Sequence, residues 1–130
     1  MLQAARQRNQ PVCIANASRL DRLNGQDLYG VDMCIEACQY LLQQKQPATF
    51  IFIVTSMENG QEIFDNYRKR INETSLQDYF HLMHANVSFV KLVQEASVVL
   101  RPTNADGDAL TIREALYLGK PVLASDVVSR

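Results

Sequence analysis

Two stretches of this 130-residue chain concentrate residue types able to do chemistry. Ser18 to Gly30 holds Arg19, Arg22, Asn24 and Gly25, and Thr103 to Thr111 holds Asn104, Asp106, Gly107 and Asp108. A guanidinium is a planar fork of donors suited to phosphate oxygens. A carboxylate only accepts, so it matches the hydroxyls of a sugar better than a phosphate. The second stretch runs into a helix, whose first turn carries free backbone N–H groups and the positive end of the dipole. Gly107 and Ala109 are small enough to let a ligand approach that backbone, so a phosphate or diphosphate would sit there, with Arg19 reaching it from the facing stretch. Asp106 and Asp108 would repel the phosphate and suit sugar hydroxyls instead.

Each feature also has a purely structural reading. Thr111 and Glu114 have the spacing of a capping box, in which the glutamate only satisfies backbone donors. Asp106-Gly107 is common turn chemistry. The three spaced glycines of a dinucleotide fingerprint do not follow the first strand. Cys34 and Cys38 stand four apart on the apolar side of a helical pattern and read as core thiols, and three cysteines make no disulfide framework. His81 and His84 lie at a strand end with no Cys or carboxylate pattern to complete a zinc set, so no metal site is expected. Three Asn-x-Ser/Thr triplets, at Asn16, Asn72 and Asn86, matter only in a secreted protein and are read as coincidental.

The elements that must position these residues alternate regularly. Pro11–Ala17, Thr49–Thr55, Tyr79–Met83, Ala96–Arg101 and Pro121–Ala124 read as strands. Helical spacing of apolar residues covers Val31–Gln44, Glu62–Ile71, Val87–Glu95 and a last segment ending at Leu118, where Gly119 and Pro121 stop it. Strands alternating with helices imply right-handed crossovers and a parallel sheet covered on both faces: an α/β, doubly wound, Rossmann-like fold. In such sheets ligands bind beyond the carboxyl ends of the strands where the strand order reverses. That point falls between the first and fourth strands, and the two chemically loaded stretches follow those two strands.

Composition narrows the partners. With 47% hydrophobic and 21% charged residues the chain has the balance of a globular protein, expected to form a single domain over residues 1–130. Thirteen Lys and Arg against fourteen Asp and Glu leave a net charge of −1, which argues against a broad nucleic-acid surface and for a local anion site. No apolar run approaches the roughly 20 residues of a membrane span, and the polar start lacks a signal-peptide core, so the expected location is the cytoplasm.

The last thirty residues carry a resemblance. Arg101-Pro102-Thr103, Asp106 through Leu116 and Gly119-Lys120-Pro121-Val122-Leu123-Ala124-Ser125-Asp126 resemble the donor-binding half of retaining GT-B glycosyltransferases of the group 1, or family 4, class, which build capsular and other surface polysaccharides and glycolipids. That class pairs an acidic residue with a Glu eight positions on, here Asp106 and Glu114. Ala17-Ser18-Arg19-Leu20 more loosely resembles its Gly-Arg-Leu. The resemblance implies a donor site for a UDP-, GDP- or ADP-sugar, with no metal or other cofactor. In it Arg19 and the backbone from Gly107 through Asp108, Ala109 and Leu110 to Thr111 bind the diphosphate, Asp106 meets the sugar hydroxyls and Glu114 holds the ribose. The family usually has Glu at the position of Asp106 and Lys-Gly where Tyr29-Gly30 stands, which makes Arg22 a candidate replacement for the lysine.

The resemblance further implies a chain cut short after its fifth strand, lacking its own N-terminal GT-B domain. That domain would bring the acceptor, a glycan or lipid-linked sugar, and shared catalytic groups, and peripheral membrane association could come only from such segments. Competing readings are a GT-B nucleotide-sugar epimerase and a non-catalytic Rossmann-like binding or scaffold domain. A phospho-receiver would need an acidic cluster where the first strand ends, and Asn16, Ala17 and Ser18 stand there.

Overall fold

Apolar runs pair with one another, and amphipathic segments cover them. In the computed structural model, which describes residues 2–23, 25–103 and 110–126, helix α1 (Leu2–Gln7) precedes strand β1 (Val12–Arg19), a hairpin of β2 (Arg22–Leu23) and β3 (Gln26–Asp27), and helix α2 (Val31–Gln43). Strand β4 (Thr49–Ser56), helix α3 (Gln61–Glu73), strand β5 (Phe80–His84) and helix α4 (Phe89–Gln94) follow. Strand β6 (Val98–Arg101), helix α5 (Leu110–Tyr117) and strand β7 (Val122–Ala124) complete the order. Five strands form one parallel sheet in the order β5-β4-β1-β6-β7. The sheet grows outward in both directions from β1, which is the doubly wound order and the Rossmann-like class expected.

Strand alternation deals the core into two layers. Cys13, Ala15 and Ala17 of β1 and Phe50, Phe52 and Val54 of β4 pack with Ile35 and Cys38 of α2 and Phe64 and Ile71 of α3. Val12, Ile14, Ile51 and Ile53 face the other way, onto Ala5 of α1, Val93 of α4 and Ala115 of α5. Every residue of β4 from Thr49 to Val54 is buried, as a strand covered on both faces requires. The three thiols are free and buried. Burial pushes Cys13 up to about 11 and Cys38 up to about 12, so they are protonated core residues, as their spacing predicts.

The structure adds a helix and a two-stranded hairpin to the elements read from the sequence and shortens one helix. Helix α1 forms from the polar start, with Ala5 buried on the sheet and Arg6 paired with Glu95 just after α4. The stretch after β1, expected as a loop, contains the β2–β3 hairpin, with Arg22 opposite Asp27 and Gly25 at positive φ in its turn. Helix α4 starts at Phe89 rather than Val87 because the Ser88 side chain accepts from the Lys91 N–H and caps the helix there.

Helix α2 starts from Gly30, whose φ of 75° lies in the left-handed region. A Cβ at this position would stand 2.2 Å from the Pro102 carbonyl oxygen and 2.8 Å from its Cγ. The backbone entering α2 is therefore pressed onto the chain leaving β6, with no room for a side chain between them. Gly119, at a φ of 74°, has nothing within 4 Å of its Cβ position. Replacing Gly119 by Ala should cost only the left-handed penalty, about 1 kcal/mol. Gly30→Ala should cost at least about 2 kcal/mol more, because the steric displacement adds to that penalty; urea unfolding of the two variants beside the parent measures the difference.

Candidate functional site at the fork between β1 and β6

The site begins where two strands part. β1 stays in register with β4 as far as Arg19 opposite Ser56, but pairs with β6 only at Cys13–Val98 and Ile14–Val99. The fork that opens past Ile14 is the point where strand order reverses. Asn16 stands at its base. Arg101, the last residue of β6, donates from Nη1 to the Asn16 backbone carbonyl at 3.1 Å and to its Oδ1 at 3.2 Å. The Thr111 hydroxyl, from the second residue of α5, reaches the same Oδ1 at 3.4 Å. Three elements thus meet on one amide side chain.

The stretch after β1 closes over this cluster. The guanidinium carbon of Arg101 lies 5.4 Å from the centre of the Tyr29 ring, a cation–π distance, and the Tyr29 hydroxyl is 3.1 Å from Ser18 Oγ. Tyr29 is held by its backbone. Asp27, 2% exposed, accepts at Oδ1 from the N–H groups of Tyr29 (2.8 Å) and Gly30 (2.9 Å), and at Oδ2 from the hydroxyl of Tyr67 on α3. A buried carboxylate is tolerable only when its lone pairs are matched in this way. Burial, and then the Asp27 carboxylate, drive the Tyr67 phenol far above its ordinary range.

The residues expected from the sequence to bind ligand spread around the fork. Arg19 lies on the β4 side, its Nε 3.4 Å from Asp21 Oδ2, and lines a cavity of about 350 Å³ with Leu20, Asp21, Glu58 and Asn59. Arg22 is in β2, its N–H bonded to Asp21 Oδ1 at 2.8 Å. Leu110 opens α5 and is exposed. Glu114 lines a groove of about 380 Å³ between α4 and α5 with Val90, Arg113, Tyr117 and Leu118. Asp106, Gly107, Asp108 and Ala109 lie outside the described residues. Thr111 sits inside α5 and bonds Asn16 rather than standing at the cap, so it does not play the cap role read from its spacing to Glu114; among the described residues no side chain pairs with the Glu114 carboxylate.

Sequence reasoning missed Asn16, Asp27, Tyr67 and Arg101 as site residues. A polar Asn inside an apolar strand and an Arg closing one were the available signals for two of them. Nothing local marks Asp27 and Tyr67, forty residues apart, as partners. His81 is half-buried, and burial lowers its basicity; His84 Nε2 lies 3.2 Å from the Thr55 carbonyl. Among the described residues no three His, Cys, Asp or Glu side chains gather into a metal-sized cluster, and no helix is long and apolar enough to cross a membrane.

In an open, helix-flanked parallel sheet the crevice at the switch point is where ligands bind, and that is where this polar fork lies. Residues 16–129 match the family described as glycosyl transferases group 1, and the chain belongs to that family. Among solved structures, a glycosyltransferase from Rickettsia africae superposes with a TM-score of 0.75 at 13% identity, over 98% of this chain and 33% of that one. Anabaena HepE in complex with UDP and glucose gives 0.72 at 19%, over 97% and 33%. The C-terminal domain of a group 1 family glycosyl transferase from Francisella tularensis gives 0.73 at 15%, over 95% and 63%. These likenesses establish the fold as the Rossmann-like unit of GT-B structures, and the chain spans about a third of the first two proteins. No curated protein matches it.

The Asp27–Tyr67 bond carries a signed pH prediction. Tyr67→Phe should cost about 2 kcal/mol at pH 8, the worth of a hydrogen bond to a charged group. The phenol keeps its proton in the fold and ionises near its ordinary 10.0 only when unfolded, so its contribution is whole below that pH and shrinks above it. The gap between parent and variant should narrow by about 1.4 kcal/mol on going to pH 11. Urea unfolding at both pH values checks this, and the three buried thiols, common to both proteins, cancel.

Proposed function

We propose that this chain is the donor-binding half of a retaining glycosyltransferase, taking a nucleotide-sugar at the fork between β1 and β6. The family match over residues 16–129 carries the reading. The fork supports it by bringing Arg101 of β6 and Thr111 of α5 onto Asn16 of β1. HepE, of like fold, holds UDP and glucose. In this reading Arg19, Arg22 and the backbone from Gly107 through Asp108, Ala109 and Leu110 to Thr111 take the diphosphate. Asp106 accepts from the sugar hydroxyls. Glu114, which lines the groove between α4 and α5, accepts from the ribose hydroxyls.

Charge builds on the leaving diphosphate as the sugar departs, and a preset guanidinium with a helix start offers stabilisation where that charge develops. The acceptor, a glycan or lipid-linked sugar of surface polysaccharide or glycolipid synthesis at the cytoplasmic face of the membrane, would be held by an N-terminal GT-B domain. The chain alone is expected to bind donor without efficient transfer.

The test is a panel of UDP, GDP and ADP with their sugar conjugates. A member present at about a hundred times its Kd should stabilise the fold by about 2.7 kcal/mol, a rise in Tm of roughly 10 °C at this size. No shift and no titration heat with any member would overturn the reading. Glu114→Ala should weaken nucleotide binding by about tenfold and leave the unliganded Tm unchanged, since no bond to its carboxylate is made among the described residues.

A further inference from the structure

The two edges of the sheet are finished differently. β5 forms one, and there the Leu82 carbonyl, directed away from β4, accepts from Arg68 Nη2 of α3 at 3.2 Å. β7 forms the other, and among the described residues no strand pairs with its outer side. The Val99 N–H bonds the Pro121 carbonyl at 3.0 Å and the Ser125 N–H bonds the Arg101 carbonyl at 3.1 Å. Backbone groups alternate in direction along a strand, so Leu123 turns its N–H and C=O to β6 while Val122 and Ala124 turn theirs outward. No charge or proline falls within Val122–Ala124 to blunt that edge. Leu123 is 67% exposed. It stands beside an apolar groove of about 230 Å³ lined by Met33 and Ala37 of α2 and Leu100 of β6.

We infer that this edge is occupied by a second copy of the chain, its β7 running antiparallel about a twofold axis at Leu123. That register sets Val122 of one copy opposite Ala124 of the other. Both turn their polar groups outward, so each pair exchanges N–H···O bonds in both directions. Leu123 meets its own counterpart at the closer, non-hydrogen-bonded spacing, on the α2 side of both sheets, where the two grooves join. The same register sets Lys120, just before β7, opposite Asp126, just after it, so opposite charges face each other at both ends of the pairing. An axis at Val122 or Ala124 would set Leu123 opposite Pro121 or Ser125 and separate the charges. Strand edge, apolar face and charge thus each match their own copy, as an isologous interface requires. Antiparallel pairing turns the carboxyl ends of the two sheets opposite ways, so the two forks lie at opposite edges of the joined sheet.

Sedimentation of the chain from about 1 to about 500 μM tests this, because an interface so small should give a reversible monomer–dimer equilibrium within that range. Ala124→Pro removes an outward N–H that β6 does not use and should raise the dimer dissociation constant at least about tenfold. Lys120→Glu sets like charges opposite each other and should raise it about tenfold, and adding Asp126→Lys should restore it to within about threefold. Cα atoms of a non-hydrogen-bonded pair stand about 4.5 Å apart, inside the range of a disulfide. Leu123→Cys should therefore cross-link on oxidation with diamide at least about tenfold faster than Leu116→Cys, at a similarly exposed site. The three native thiols are buried and stay out of the reaction. A monomer at every concentration would give the edge to another stretch of polypeptide and overturn the inference. A dimer indifferent to Lys120→Glu, whose Leu123→Cys variant cross-links no faster than Leu116→Cys, would overturn it too, because its contact lies elsewhere. Should Ala124→Pro fail to fold, the charge swap and the cross-link decide.

Discussion

The path of the chain around the site depends on one contact without side chains, Gly30 against Pro102. The residue that opens α2 and the residue that follows β6 touch through backbone and ring alone, at a spacing no Cβ would permit. The contact determines how the stretch after β1 can lie, because that stretch must arrive at Gly30 in a left-handed conformation and turn straight into a helix. Asp27 provides the turn. Its Oδ1 takes the two N–H groups just upstream of α2, and its Oδ2 anchors the same turn to α3 through Tyr67. Side-chain acceptors that mimic a backbone turn in this way are a standard route into helices; here the carboxylate is also buried, so removing it would strand three donors in a dry environment.

The polar fork follows from the topology. A sheet that grows both ways from β1 sends its right-handed crossovers to opposite faces, α2 and α3 to one and α4 and α5 to the other. The segments leaving β1 and β6 therefore diverge, and the last carbonyls of β1 on that edge lose their strand partner. Unpaired backbone groups this close to a core need another donor. Arg101 supplies it to Asn16, so the residue that repairs the broken ladder also lies where a ligand enters. An aliphatic side chain at Arg101 would leave the carbonyl without that bond, and one at Asn16 would remove the atom shared with α5.

Most of the architecture was legible because it rests on periodicity. The unbroken apolar run of β4, the helical stripe of α2 and the Gly-x-Pro stop after α5 each encode their element within a few residues, and their boundaries fall within a residue or two of those read from the sequence. What was not legible depended on long-range pairing or on competing local bonds. Helix α1 has a weak pattern of its own and is held by burial of Ala5 and by Arg6 with Glu95. The β2–β3 hairpin is two residues a side, too short for any periodic signal. At the site, residue type singled out the stretch after β1 and the one leading into α5, and of the second Thr111 is the described residue that reaches Asn16 at the fork. The spacing of Thr111 and Glu114 equally fitted a cap, and the bond that engages Thr111 instead is made to Asn16, ninety-five residues away.

Burial is distributed unevenly across the sheet, and the unevenness bears on how the site is held. β4 and the first half of β1 are almost wholly buried, whereas Ala115 is the buried residue of α5 and Leu123 of β7 is two-thirds exposed. The half of the fold that carries Thr111 and Glu114 thus draws less on apolar area and more on polar ties: Thr111 to Asn16, the Ser125 hydroxyl to the Thr103 carbonyl at 2.5 Å, and the Ser125 N–H to the Arg101 carbonyl at 3.1 Å. Each such tie is worth about 1 kcal/mol net, a small sum beside the buried layers under β4. The layers under β4 and the elements β6 and α5 meet at Asn16, which Arg101 and Thr111 both reach, so one amide side chain ties the switch point to the sheet and to the helix at once.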